Sequence, residues 1–177
     1  MIELETEHLI LRQWQEEDLI VYAKLTASNE VMKYFPKTLS TEESNTAARK
    51  FMSLLEERSW GFWAIEEKLS GKFIGYAGLH APKTKFPFSP CVEIAWRVAD
   101  KYWENGYVLE LGKKILHCAF EVIGLDEIVY FSSIHNIKAE NIMEQLDMIK
   151  AEELFLHPFV DKRHRLSKHY LYRIKKI

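Results

Sequence analysis

The spacing of apolar residues changes several times along the chain, and each change predicts an element. Leu9-Ile10-Leu11, closed by Arg12-Gln13-Trp14, predicts a first strand. Glu16, Glu17 and Asp18 then put carboxylates at the positive end of a helix running to about Leu25. Ser28-Asn29-Glu30 predicts the cap of a short second helix through Tyr34, stopped at Phe35-Pro36 because the residue before proline disfavours the α region. Ser40-Thr41-Glu42-Glu43 matches a capping box, and Ala47, Phe51 and Leu54 beside Ala48, Met52 and Leu55 form two adjacent apolar rows of a helix to Ser59. Residues 60–65 and 73–79 are β-rich runs joined through Ser70-Gly71 as a hairpin, with Gly75 and Gly78 predicting a bulge or a close backbone approach. Val92, Ile94, Trp96 and Val98 alternate with Glu93, Ala95 and Arg97, a strand with one apolar and one mixed face. Val108, Leu111, Ile115, Ala119 and Val122 make one stripe of a long helix that begins near Gly106 and stops at Gly124. Residues 128–131 predict a buried strand, 136–146 a helix with Ile142, Met143 and Leu146 inward, 148–156 a further strand, and Tyr170, Tyr172 and Ile174 a closing strand.

This order, with no repeat, linker or composition shift, predicts one α/β domain over residues 1–177. At 177 residues the chain is long enough for a single core without a metal or disulfide staple. With 47% hydrophobic and 28% charged residues its usage is globular rather than disordered. The net charge of −2 argues against a general nucleic-acid or anionic-membrane binder. It conceals an uneven distribution: from Asp161 onward seven Lys/Arg face one acid, a basic tail that either holds an anion or is a solvated terminal strand. Cys91 and Cys118 form no CxxC pair, which favours a reduced, cytoplasmic setting. The acidic start Met1-Ile2-Glu3-Leu4-Glu5 lacks signal-peptide order, and no apolar run is long enough to span a membrane.

Several chemistries lack their signatures here. There is no GxSxG elbow, no phosphate loop with GK[ST] and no GxGxxG, and the seven histidines make no H-x-x-x-H or HExxH pair, so no metal site is expected. The informative stretch is Glu93-Ile94-Ala95-Trp96-Arg97-Val98 followed by Tyr102-Trp103-Glu104-Asn105-Gly106-Tyr107-Val108-Leu109-Glu110 and the long helix. A strand leading through a glycine-bearing turn into a helix exposes unpaired N–H groups at a positive dipole end, which suits a phosphate. A plain connection fits the same spacing.

Leu9-Ile10-Leu11-Arg12, Phe73 to Leu79 with its two glycines, Val92-Glu93-Ile94-Ala95-Trp96, Tyr102-Trp103 with Gly106-Tyr107 and Glu110, and Asn136 before Ile142-Met143-Glu144-Gln145-Leu146 together resemble the GNAT superfamily of acetyltransferases, and within it the RimJ/RimL-like branch. The resemblance implies a mixed, mostly antiparallel V-shaped sheet splayed between its fourth and fifth strands and flanked by helices. It further implies an N-acetyltransferase in which acetyl-CoA donates an acetyl group by direct attack of a primary amine, either a protein N-terminus or a small amine, in a monomer or homodimer. By the same resemblance Glu93 is the general base, amides of Trp96, Arg97 and Val98 hold the pantetheine arm, Glu104, Asn105, Gly106, Tyr107 and Val108 form the pyrophosphate turn, and Asn136 bonds the pantetheine.

The sequence also departs from the family pattern. Glu104 and Val108 stand where small residues are usual, Leu109 replaces a Thr, Asp147 replaces a Gly, and Ala139 replaces a Ser able to protonate the departing thiolate, a role that passes to His135 or a tyrosine or lapses. These departures support an alternative, a GNAT-like module that binds CoA or a partner with weak or no catalysis. Tyr34, Phe35, Phe86 and Phe88, in the loops 27–41 and 81–90, are candidates for an acceptor wall or for ordinary packing.

Overall fold

A computed structural model describes residues 1–176. Nine strands form one sheet: β1 (Leu4–Glu5), β2 (Leu9–Arg12), β3 (Phe62–Glu67), β4 (Lys72–His80), β5 (Glu93–Val98), β6 (Glu127–Ser133), β7 (Ile149–Lys150), β8 (Phe155–Leu156) and β9 (Lys168–Lys175). Their order is β1-β2-β3-β4-β5-β6-β9-β7, with β8 also on β9, and every neighbour is antiparallel except the β5–β6 pair. The extra short strand β1 moves the predicted fourth and fifth strands to β5 and β6.

Two helices, α1 (Glu16–Ala27) and α2 (Thr41–Arg58), cover the face that carries Phe62 and Tyr76, where Trp14, Tyr22 and Phe51 meet those rings at centroid distances between 5.0 and 6.3 Å. The capping box of α2 is formed, Ser40 Oγ accepting from the Glu43 amide. Arg12 ties β2 to this layer by donating to Asp18 at 2.8 Å and to Glu66 at 2.7 Å. The opposite face bears Trp63, Ile65 and Glu67 and receives α3 (Tyr107–His117), whose Tyr107 hydroxyl donates to Glu67 at 2.8 Å. The ladder shifts register at Ile65/Glu66 beside Gly75, the predicted bulge. At Gly78, φ is +155° and a Cβ would stand 1.9 Å from the Gly61 carbonyl oxygen, the predicted close approach.

Three expectations change. Residues 29–34 form turns rather than a helix, because a segment of that length before Pro36 cannot repay helix nucleation, and Val31 and Met32 are buried from the turn segment instead. The single strand expected over 148–156 is two dipeptide strands, β7 and β8, both against β9 and separated by a bend at Glu152 and Glu153, whose exposed carboxylates stay in water. The long helix does end at Gly124 (φ +80°), but after His117 it widens into a π-helical stretch, Cys118–Ile123, which carries Val122 off the buried stripe into solvent.

Candidate active site

The sheet opens where β5 and β6 meet. Their ladder is one register pair, Glu93 with Val129, reinforced by the Val129 amide donating to the Val92 carbonyl at 3.0 Å. Beyond it the strands diverge. Strand residues alternate their backbone groups between the two neighbours, and Ala99 donates to Ile74 on the β4 side while Val92 serves β6. Trp96 and Val98 therefore turn their amides into the opening, whereas the Arg97 amide faces β4. Of the three amides expected to hold a cofactor arm, two are free to do so, and Arg97 contributes its side chain instead.

A cavity of about 430 Å³ fills the opening and extends over the face covered by α1 and α2. The expected residues Glu93, Trp96, Arg97, Val98, Val108 and Asn136 all line it. Glu93 is largely buried and its carboxylate is 2.9 Å from Nδ1 of His80, its register partner on β4. Arg97, on the same face of β5, lies with its guanidinium carbon 4.3 Å from the centroid of Phe35 and donates to the Tyr22 hydroxyl at 3.2 Å. On the other face of β5, Trp96 stacks on Tyr130 of β6 at 4.8 Å and 11°, closing the opening with two parallel rings. Burial, with Ser132 opposing it, holds the Tyr130 phenol far above its ordinary range.

The turn before α3 keeps its donors free. Gly106 adopts φ +77°, nothing caps the helix through a side chain, and the first intrahelical acceptance is the Gly106 carbonyl by Glu110. The amides of Tyr107, Val108 and Leu109 are left as orphan donors at a positive dipole end. A Cβ on Gly106 would meet nothing within 4 Å, so the left-handed φ alone selects glycine. Glu104, Asn105, Gly106 and Tyr107 do not line the cavity themselves. The Glu104 side chain is 83% exposed and pairs with Lys138 at 2.6 Å, a bridge from the turn to α4 (Ile137–Gln145).

Asn136 is held at three points. Its Oδ1 caps α4 by accepting from the Ala139 amide at 3.4 Å, its Nδ2 donates to Ser132 Oγ at 3.1 Å, and its carbonyl accepts from the Tyr170 hydroxyl at 2.9 Å. His135, the expected partner of the thiolate, does not line the cavity; its Nε2 lies 3.1 Å from the Arg165 carbonyl.

Tyr34, Phe35 and Phe86 from the two loops line the cavity, with Phe88 stacked behind Phe86 at 5.3 Å. Sequence reasoning missed His80, Phe131, Ser132, His157 and His169, which reach the cavity through strand register or a long loop return rather than through a motif. His157 and His169 face each other at 4.9 Å, and burial, with His157 beside it, pushes the His169 imidazole down to about 4. The basic tail does not converge on the cavity: Arg173 pairs with Glu127, Lys176 with Glu121 and Arg163 with Asp161. Among the described residues no helix is long and apolar enough to cross a membrane, and no cluster of three or more metal-ligating side chains occurs.

Residues 8–149 match the family model for the acetyltransferase (GNAT) domain. The chain is 29% identical over 127 residues to the uncharacterized N-acetyltransferase YoaA of Bacillus subtilis (strain 168), covering 71% of this chain and 70% of that one. Among solved structures, ribosomal-protein-S5-alanine acetyltransferase from Vibrio fischeri superposes with a TM-score of 0.78 at 17% identity, covering 99% and 97% of the two chains. Spermidine N-acetyltransferase from Vibrio cholerae, solved with CoA and spermine, gives 0.74 at 18% identity, covering 95% of each chain.

Proposed function

The chain belongs to the GNAT acetyltransferase family, whose members transfer an acetyl group from acetyl-CoA, and on that premise we propose that it is an N-acetyltransferase of the RimJ/RimL-like branch, acting on a primary amine by direct attack. The observation that carries the proposal is the placement of Glu93 at the closed end of the β5–β6 opening, largely buried, hydrogen-bonded to His80, and on the face that the loops around the cavity enclose. The opening fits an acetyl-CoA arm, since Trp96 and Val98 present unpaired amides to it and Val108, at the start of α3, also lines it. Asn136 adds a side-chain amide at the far wall.

An ammonium of pKa ~10 must lose a proton before its nitrogen can attack. Glu93 accepts that proton, directly or through one water, and His80 fixes the carboxylate toward the cavity. The nitrogen forms its bond to the acetyl carbon, the carbon–sulfur bond breaks, and the amides in the opening stabilise the oxyanion formed between those events. The departing thiolate, of pKa ~8.5, needs no strong acid, which makes tolerable the absence of a hydroxyl at Ala139 and of His135 from the cavity lining.

Glu93→Gln keeps the hydrogen-bonding shape and removes the base. Thiol release from acetyl-CoA with amine acceptors is expected to fall ~10²–10⁴-fold in kcat. Unchanged kcat across pH 6–9 would remove Glu93 from the role.

A further inference from the structure

Arg97 is the one charged group of the cavity wall whose partners do not account for it. The other arginine held in the interior of the sheet, Arg12, is matched by two carboxylates, Asp18 and Glu66. Arg97 forms no ion pair among the described residues. Its Nη1 donates to a hydroxyl, Tyr22, and its Nε is buried with no partner at all. Tyr22 cannot serve as a counter-ion, because burial, reinforced by Tyr76, holds its phenol well above the ordinary range and therefore neutral. Glu93 is on the same face but is engaged with His80. Two aromatic faces, Phe35 and Tyr76, cover the guanidinium with its carbon 4.3 and 5.6 Å from their centroids. That stacking leaves the in-plane N–H groups as the means of recognition, and a planar guanidinium on a cavity wall with donors to spare beyond its one bond to Tyr22 suits a carboxylate.

The strand fixes where such a carboxylate would lie. Glu93, Ala95 and Arg97 project from the same face of β5, and Ala95, a cavity residue, leaves only a methyl group between the acid and the base. Arg97 and Glu93 each lie ~6.6 Å along the strand from Ala95. An amine seated over Ala95 thus has a proton acceptor on one side and a cation on the other. Resting on the transfer proposed above, we propose that the acceptor is a small amino acid-like molecule, an amine with a free carboxylate a few bonds away, and that the Arg97 side chain binds that carboxylate and sets acceptor specificity. The 430 Å³ volume and the loop walls favour a small molecule over a protein N-terminus.

The test has two arms on the full chain. In the first, thiol release from acetyl-CoA is measured with glycine, β-alanine and 4-aminobutanoate and with the carboxamide of each, each pair compared at the pH where both amines are free. In the second, the N-acetyl derivatives of the same acids and amides are titrated calorimetrically against the protein saturated with CoA, which needs no turnover and contains no titrating amine. At one chain length or more, the acid is expected to exceed its amide 10- to 100-fold in kcat/KM and in affinity. Arg97→Gln should bring both ratios near one, and Arg97→Lys should restore part of the preference through charge alone. The comparison of acid with amide in the unaltered protein stands even if a variant fails to fold. Amines acetylated without regard to the carboxylate, or a ratio unchanged in Arg97→Gln, would overturn the assignment while leaving acetyl transfer intact. Acids that bind through Arg97 with no amine acetylated would overturn the transfer and leave Arg97 as a carboxylate site. Loss of CoA affinity in Arg97→Gln equal to the loss of acid affinity would move Arg97 to the cofactor and also overturn the proposal.

Discussion

His169 is 7% exposed, and its ring is kept neutral by burial and by the neighbouring His157, with a folded pKa of about 4 against ~6.5 in an unfolded chain. Between those values the unfolded state holds a proton that the folded state refuses, so stability falls as pH drops from 6.5 toward 4 and is insensitive to this group above 6.5. The loss by pH 5 is on the order of 2 kcal/mol. Urea unfolding of the protein and of His169→Gln should give a stability difference that shifts by that amount between pH 7.5 and 5; a constant difference would show that the imidazole does not titrate in this window. Two other residues store strain rather than charge. Ser59 and Asp147 adopt φ +66° and +58°, and Asp tolerates the left-handed region better than Ser. Ser59→Gly should therefore raise stability by about 1 kcal/mol and Asp147→Gly by about half as much, read from denaturant midpoints. The position of Asp147 was legible in the sequence, as an acid where a glycine is usual; that of Ser59 was not, because a serine ending a helix gives no sign of its φ.

At the scale of elements, the strong periodicities of α2, α3 and β5 transferred from sequence to structure because each buries one face against a continuous core. The segments that did not transfer are short ones, β1, β7, β8 and the turns at 29–34, where tertiary neighbours rather than local propensity decide the backbone. The same limit applied to the site. Glu93 and Asn136 were legible from motif order, whereas His80 reaches Glu93 only through the β4–β5 register, which spacing along one strand does not specify. Glu104 illustrates how an element resolves a doubt raised by a residue. Its acidity beside a turn proposed to hold a pyrophosphate is unfavourable, yet the side chain leans out to Lys138 on α4. As an exposed pair this bridge contributes little to folding. Glu104→Gln should leave stability within ~0.5 kcal/mol, free Lys138 for the anionic cofactor, and lower the Kd for CoA a few-fold, an effect that shrinks with added salt. Equal Kd values at low and high salt for both proteins would show that neither charge faces the cofactor.

For the whole molecule, the sheet is two antiparallel halves, β1–β5 and β6–β9, whose ladders meet at a single residue pair. The stacked Trp96 and Tyr130, the Glu104–Lys138 bridge and the contact of α3 with α4 join the halves around a cavity instead of a continuous ladder. A ligand that hydrogen-bonds β5 from the opening and also touches Asn136 on the α4 side replaces that missing ladder, so its binding energy acts on the contact between halves. CoA at ~100 times its Kd is expected to add ~2.7 kcal/mol to unfolding. The protection should be uneven: amides of β5 and β6 at the opening should gain hydrogen-exchange protection, while those of the β3–β4 hairpin, already paired on both sides, should change least. A global rise in protection without enrichment at β5 and β6, or no thermal shift with CoA at millimolar concentration, would mean that the opening is not where this chain holds its cofactor.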